Sequence, residues 1–217
     1  MAKQLDDRIW HISGHAFAAM SFGFPVFRLT VDEFPETIFA DAKGKLWIDS
    51  GTIVTPPNLY HPYGSFQHTQ FMERLTIIAL AGPVTEMSYR GEQCGCEKVQ
   101  QHLRDWERAW DVSATLCDDE TQCIEQLELH IQRTAVFVGH AEARKYITAV
   151  AHELDKNGGM SGEDAQRIWD EIEAAREARM SRPLPLRIRR MLEMLEDDNC
   201  DIDVWDDSFC ADDATDQ

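Results

Sequence analysis

The chain has 217 residues, of which 43% are hydrophobic, so its length suits one domain with a sizeable core, or one domain followed by a tail. It carries 21 basic and 39 acidic residues, which gives a formal net charge of −18. Such an acidic surface repels nucleic-acid phosphates and anionic membranes, so we expect neither direct nucleic-acid binding nor membrane attachment. The charge keeps the protein soluble and would also suit a protein partner with a basic face.

Compartment and redox state follow from two further patterns. No apolar run approaches the about 18–20 residues that cross a bilayer, and residues 1–8 are not followed by the apolar core of a signal peptide. We therefore expect a cytoplasmic protein. The six cysteines are too sparse for a small disulfide scaffold and none forms a CxxC pair, so we expect free or buried thiols.

The first predicted element is a helix capped by Asp6 or Asp7. It runs to about residue 20, where Gly23 and Pro25 end it. Runs rich in β-branched and aromatic residues then predict a small sheet of about three strands, at 26–31, 37–40 and 46–48. A polar stretch with three prolines predicts a loop over residues 51–65.

The remainder of the folded part is predicted to be helical. Apolar residues at helical spacing place helices at 70–89, 97–116, 120–138, 141–156 and 162–180. Residues 157–159 (Asn-Gly-Gly) predict a helix end, and Ser161 is a candidate cap for the next helix. The expected core consists of Phe17, Phe71, Leu75, Ile78, Leu80, Trp106 and Trp110. The fold class expected is α+β, a mainly helical bundle with a small sheet packed near the N-terminal helix.

A boundary is predicted after residue 181, where Pro183 and Pro185 follow. The segment 182–217 starts with a basic island around Arg187 and ends in 21 residues with nine aspartates and no lysine or arginine. This composition favours a flexible acidic tail. We therefore expect a domain over residues 1–181 and a basic-then-acidic tail over 182–217.

His11 and His15 are the first candidates for chemistry. They stand four residues apart on the first predicted helix, so both imidazoles lie on one face and can reach one metal ion. Two histidines that simply pack in the core would show the same spacing. The other six histidines are predicted to be surface or core residues: His61, His68, His102, His130, His140 and His152.

The segment around this pair resembles the zinc helix of the FtsH-type peptidases, His-Glu-x-Gly-His-Ala, which stands here as His11, Gly14, His15 and Ala16. Residues 77–86 resemble the second motif of that family, and the resemblance extends over roughly residues 8–175. It implies a Zn²⁺ site with His11, His15 and an aspartate that opens a later helix. Asp105 matches that aspartate, and Glu97 is the alternative.

One position departs from the family pattern. Ile12 stands where the family has the glutamate that acts as general base, and an aliphatic side chain cannot carry a proton. We therefore assign no catalytic residue. Glu73 and Glu86 are the candidates for a replacement base. The chain also has no Gly-x-x-x-x-Gly-Lys-Ser/Thr loop, so it does not contain the ATPase motor of that family.

Three hypotheses follow. The first is a catalytically degenerate metallopeptidase-like domain that acts as an acidic protein-binding or inhibitory module, for example by occupying the nucleic-acid groove of a basic partner. The second is an active zinc-dependent hydrolase with a non-standard general base. The third is a structural domain in which both histidines are packed and no metal binds.

Overall fold

The computed structural model describes residues 6–31, 45–48, 51–54 and 66–181. These residues form seven helices and four short strands, so the fold is mainly helical α+β, as the sequence predicts. The chain divides into two compact units, Met1–Ala175 and Arg176–Gln217. The predicted strand at 37–40 and the predicted tail at 182–217 lie outside the described residues.

Helix α1 spans Asp7–Ser21 and confirms the first predicted helix. Its N-terminus is capped by Asp6, whose carboxylate accepts a hydrogen bond of 2.9 Å from the Arg8 backbone N–H. The chain leaves the helix through Gly23, whose φ of 78° favours glycine. Eleven residues of α1 from Ile9 onward are buried, and nine of them are apolar or small, so α1 is a core helix and not a surface helix.

The sheet is antiparallel and contains four strands in the order β2-β3-β1-β4. Their bounds are β1 Val26–Thr30, β2 Lys45–Ile48, β3 Gly51–Val54 and β4 Gly159–Ser161. Strands β1 and β2 lie where the sequence predicts strands. The prediction of a loop from residue 51 is wrong for β3, which pairs Ile53 with Leu46 of β2. Strand β4 follows the predicted glycine stop and pairs Met160 with Leu29 of β1.

Helices α2, α3 and α4 follow the sheet. Their bounds are α2 Phe66–Arg90, α3 Cys96–Val99 and α4 Leu103–Ala114. The prediction of one continuous helix over 97–116 is wrong, because the chain turns between α3 and α4. His102 has a φ of −90° and a ψ of 68°, which are not helical angles. The turn starts a new helix and places Asp105 in the first turn of α4.

The last three helices lie within two residues of their predicted ends: α5 Glu120–Gly139, α6 Ala141–Asn157 and α7 Gly162–Met180. Gly158 ends α6 in the left-handed region with a φ of 70°. Ser161 caps α7, since its hydroxyl accepts a hydrogen bond of 3.1 Å from the Asp164 N–H. Local cap chemistry therefore sets these boundaries.

The core is organised around α2, which packs against α1, α4 and α5, while α1 also packs against α6 and β1. Among the predicted core residues, Phe17, Ile78 and Leu80 are buried. The other four are half-buried and pack against the core: Phe71, Leu75, Trp106 and Trp110. No helix in the described part of the chain is long and apolar enough to span a membrane.

Candidate metal centre

His11 and His15 project from α1 toward α2 and α4, and both are buried. Their rings stand nearly perpendicular, at 75°, and their Nε2 atoms lie 3.1 Å apart. The helical spacing puts the two rings on one face of α1. The packing of α2 and α4 over that face removes them from water.

Asp105 reaches the same point from the first turn of α4 and is 1% exposed. Its Oδ2 lies 3.0 Å from Nε2 of His11. Its Oδ1 lies 3.4 Å from Nε2 of His15. The structure thus brings together the three residues that the resemblance implies as zinc ligands, and their ligand atoms form one compact group.

The contacts of the two Nδ1 atoms, which point away from this group, decide which tautomer each neutral histidine adopts. Nδ1 of His15 lies 2.7 Å from the backbone oxygen of Ile78, which can only accept a hydrogen bond. Nδ1 of His11 lies 3.1 Å from Oε2 of Glu86, a carboxylate that also accepts. When a ring is neutral and its Nδ1 donates to this acceptor, its Nε2 atom carries the lone pair that can bind a metal in the cluster.

This donor set fits a zinc ion. Ligand atoms at ~2.0–2.1 Å from a tetrahedral Zn²⁺ are separated from one another by about 3.3 Å. The three contacts among His11, His15 and Asp105 measure 3.0, 3.1 and 3.4 Å. In addition, Oδ1 of Asp105 is buried and makes no hydrogen bond. A cation at this point would pair with the carboxylate and would be bound by the Nε2 lone pairs of the two rings in their neutral form.

Two glycines allow the helices to approach this closely. A Cβ atom at Gly82 of α2 would lie 2.7 Å from ring carbons of His15, so the ring occupies the space of the missing side chain. A Cβ atom at Gly14 of α1 would lie 2.5 Å from the backbone oxygen of Ala81. The α1–α2 crossing therefore depends on small residues on both helices.

The charge of Asp105 follows from its surroundings. Burial raises the pKa of this carboxyl, but His15 and His11 lower it by more, and the net pKa lies well below its usual range. The guanidinium of Arg108 lies 3.6 Å from Oδ1 and adds positive charge on the same side. Asp105 is therefore an ionised carboxylate, the form that binds a metal.

Glu86 lies beside the cluster, and both of its carboxylate oxygens already have partners. Its Oε2 accepts from Nδ1 of His11, and its Oε1 lies 2.6 Å from Nη2 of Arg90. Burial raises the pKa of Glu86, but the hydrogen bond from His11 and the charges of His11, His102 and Arg90 lower it to a net value below the usual one. This carboxylate orients a histidine and is not positioned as a free general base.

The other carboxylates weighed from the sequence lie outside the cluster. Glu97 is exposed on α3, and Glu73 lies near His130. Neither belongs to a group of converging ligand atoms in the described residues. Ile12, at the family's base position, is 5% exposed and belongs to the hydrophobic core.

His102 is the residue near the centre that the sequence reasoning did not select. Its ring stacks on His11 with the centroids 5.5 Å apart, and its Nδ1 lies 3.8 Å from Oε2 of Glu86. Burial lowers the pKa of this half-buried ring, Glu86 and Asp105 raise it, and the net pKa is below the usual one. His102 directly precedes α4 with non-helical angles, so helical spacing gave no signal for its position, and the turn before α4 brings its ring onto His11.

Comparison with known proteins adds no family assignment. No protein-family model matches the chain, and no curated protein matches it significantly.

Proposed function

We propose that the chain is a zinc-binding domain with a degenerate peptidase-type centre, which acts by binding a protein partner. The observation that carries the proposal is the convergence of two imidazole Nε2 atoms and one buried carboxylate at mutual distances of 3.0, 3.1 and 3.4 Å. His11, His15 and Asp105 would hold the metal. When bound, zinc supplies Lewis acidity toward a water or carbonyl oxygen.

The environment of the three ligands supports binding and argues against efficient peptide cleavage. Ile12 cannot take a proton, and Glu86 already accepts from His11 and pairs with Arg90. A positioned general base is commonly worth ~10²–10⁴ in rate, and this centre lacks one at the expected position. The chain's own residues thus hold and orient a metal without moving a proton for a reaction.

The net charge of −18 supports the second half of the proposal. A surface of this charge attracts a basic protein face over several ångströms and repels anionic partners. One specific version is an inhibitor that occupies the nucleic-acid groove of a basic protein. Association should therefore weaken as salt rises.

Metal content tests the first half directly. Purified full-length protein should bind about one equivalent of zinc, since the described ligands form one compact three-donor group. His15→Ala should lose that equivalent. His152→Ala, an exposed histidine on α6, is the matched control and should retain it. Wild-type protein with less than about a tenth of an equivalent would contradict the proposal and favour packed, metal-free histidines.

Affinity capture at low and high salt tests the second half. The full-length chain should retain basic proteins at low salt and release them at high salt, because the contact is electrostatic. Capture of no basic partner, or binding that salt does not affect, would contradict this part of the proposal.

The second candidate function is a zinc-dependent hydrolase. Three protein ligands would leave a fourth position for water, an arrangement found in catalytic zinc sites, and the half-buried ring of His102 stacks on His11. Cleavage of casein or a peptide that a chelator abolishes, and that disappears in His15→Ala but not in His152→Ala, would favour the hydrolase over the binding module.

A further inference from the structure

We infer that Glu86, clamped by Arg90 and Asp7, is the positioning residue that holds His11 in its metal-binding tautomer and sets the zinc affinity of the centre. The inference rests on the proposed function, because it concerns the same three-ligand site. It gives a role to Glu86, Arg90 and Asp7, none of which is itself a zinc ligand.

The first step is the contact between Glu86 and His11. Glu86 lies on α2 and is 7% exposed, so its carboxylate has little access to water. The 3.1 Å contact between its Oε2 and Nδ1 of His11 requires a proton on Nδ1, because both carboxylate oxygens only accept. With the proton on Nδ1, the Nε2 atom of the neutral ring carries the lone pair that binds the metal. The negative charge of Glu86 also makes that ring a stronger donor.

The second step is what holds Glu86 in place. Arg90 stands one turn further along α2, and its Nη2 lies 2.6 Å from Oε1 of Glu86. The same nitrogen lies 2.6 Å from Oδ2 of Asp7, the first residue of α1. Both contacts are short, charge-assisted hydrogen bonds. The guanidinium therefore joins the end of α2 to the start of α1, the helix that carries His11.

The third step excludes a different role for the same atoms. Nδ1 of His11, Oε2 of Glu86 and a ring nitrogen of His102 lie within 4.8 Å of one another, as the ligands of a second metal would. A second cation there would have to displace the Nδ1 proton and lie close to the guanidinium of Arg90, which already pairs with Glu86. Like-charge repulsion disfavours that arrangement. Glu86 is thus an outer carboxylate and not a ligand.

Zinc affinities of single variants test the assignment. Loss of an outer partner of a metal-bound histidine typically costs 10–100-fold in affinity, so Glu86→Ala should bind zinc about 10–100-fold more weakly. Glu86→Gln keeps an acceptor of the same shape without the charge and should lose less. Arg90→Gln should also weaken zinc binding, because the Glu86 carboxylate loses the guanidinium that holds it in place.

The matched control is Glu92→Gln. Glu92 is another carboxylate near Arg90, with 3.9 Å between Oε1 and Nη1, and it does not contact His11. The zinc affinity of the Glu92→Gln protein should equal that of the wild type. Urea unfolding midpoints of the zinc-free variants separate a change in affinity from a general loss of stability. A Glu86→Ala protein that folds and binds zinc as the wild type does would overturn the inference.

A second readout does not depend on metal. Nitrogen-15 NMR of the zinc-free protein should show the proton of the neutral His11 ring on Nδ1 in the wild type. In Glu86→Ala the proton should move partly or wholly to Nε2. A wild-type proton on Nε2 overturns the inference, even if zinc binds. Absence of zinc binding with the Nδ1 proton in place contradicts the proposed function and leaves the role of Glu86 in fixing the tautomer supported.

The number of zinc ions bound per chain is the last test. One equivalent in the wild type is the expected result. Two equivalents, with the second lost in both Glu86→Gln and His102→Ala, would make Glu86 a direct ligand and would overturn its assignment as an outer carboxylate.

Discussion

At the scale of single residues, the chemistry of His11 and His15 is decided by what their far ring nitrogens contact. A backbone oxygen holds the proton of His15, and the Glu86 carboxylate holds that of His11. Spacing alone predicts that the two rings share a helix face. It does not predict which nitrogen carries a proton, because the acceptors lie 63 and 75 residues away along the chain.

His130 is a second buried histidine, but its surroundings give it a different character. It lies on α5, is 3% exposed, and its Nδ1 makes no hydrogen bond. Burial lowers its pKa, nearby Glu73 raises it, Arg133 lowers it, and the net pKa lies below the usual value. The folded protein therefore keeps this ring neutral at a pH where an unfolded chain would protonate it.

The lowered pKa of His130 predicts that the protein loses stability in acid. Because the folded pKa is depressed, the contribution of His130 is fully present above the unfolded value of ~6.5 and is lost as the pH falls toward the folded pKa. Urea unfolding midpoints with chelator, at about pH 7.5 and 5.5, should fall less on acidification in His130→Gln than in the wild type. The exposed control His152→Gln should behave like the wild type. Equal acid sensitivity of His130→Gln and wild type would contradict this.

At the scale of elements, the centre depends on the close crossing of α1 and α2. Gly14 and Gly82 supply the space, and the ring of His15 fills the space above Gly82. The sequence predicts both helices correctly because their apolar spacing and the cap at Asp6 are local features. It does not predict the turn between α3 and α4, the two helices that pack against α2 and α5.

The close approach of α1 and α2 predicts that one added methyl group at Gly82 destabilises the protein. Gly82→Ala should push the ring of His15 away, cost about 1–3 kcal/mol of unfolding free energy, and weaken zinc binding. Gly139→Ala on α5 is the matched control, since a Cβ there meets nothing within 4 Å. It should be neutral or stabilise by up to about 1 kcal/mol. Calorimetry and zinc titration of the two variants give the comparison, and equal behaviour would show that the crossing tolerates a methyl group.

At the scale of the whole molecule, the three ligands join the N-terminal helix to α4, two elements that pack chiefly through α2. A metal at this point would cross-link distant parts of the chain, and its binding free energy would add to folding. Without a metal, the charge of Asp105 is balanced by Arg108, whose Nη1 lies 3.6 Å from Oδ1, and by His15 and His11 in their protonated forms.

Thermal unfolding should show this coupling. At a zinc concentration about 100-fold above Kd, stability rises by about 2.7 kcal/mol, or roughly 5–10 °C in Tm for a protein of this size. Asp105→Asn should abolish the zinc-dependent rise, because the amide cannot supply the anionic ligand. Asp111→Asn, an exposed change on the same helix, should retain it. A zinc-dependent rise that survives in Asp105→Asn would remove Asp105 from the ligand set.

Local information in the sequence determined helices α1, α2, α5, α6 and α7, the caps at Asp6, Gly158 and Ser161, and the shared face of His11 and His15. These features depend on residues within about one helical turn, where spacing and side-chain type are sufficient. The resemblance to FtsH-type peptidases added Asp105 as a hypothesis, and the folded chain places it beside both histidines.

Only the tertiary structure decided the short strands β3 and β4, the break before α4, the position of His102, and the chain of contacts from Asp7 through Arg90 and Glu86 to His11. Each of these depends on residues far apart in the chain. Strand pairing and buried ion pairs acquire their energy only when packing excludes water around both partners, and no local pattern encodes that event.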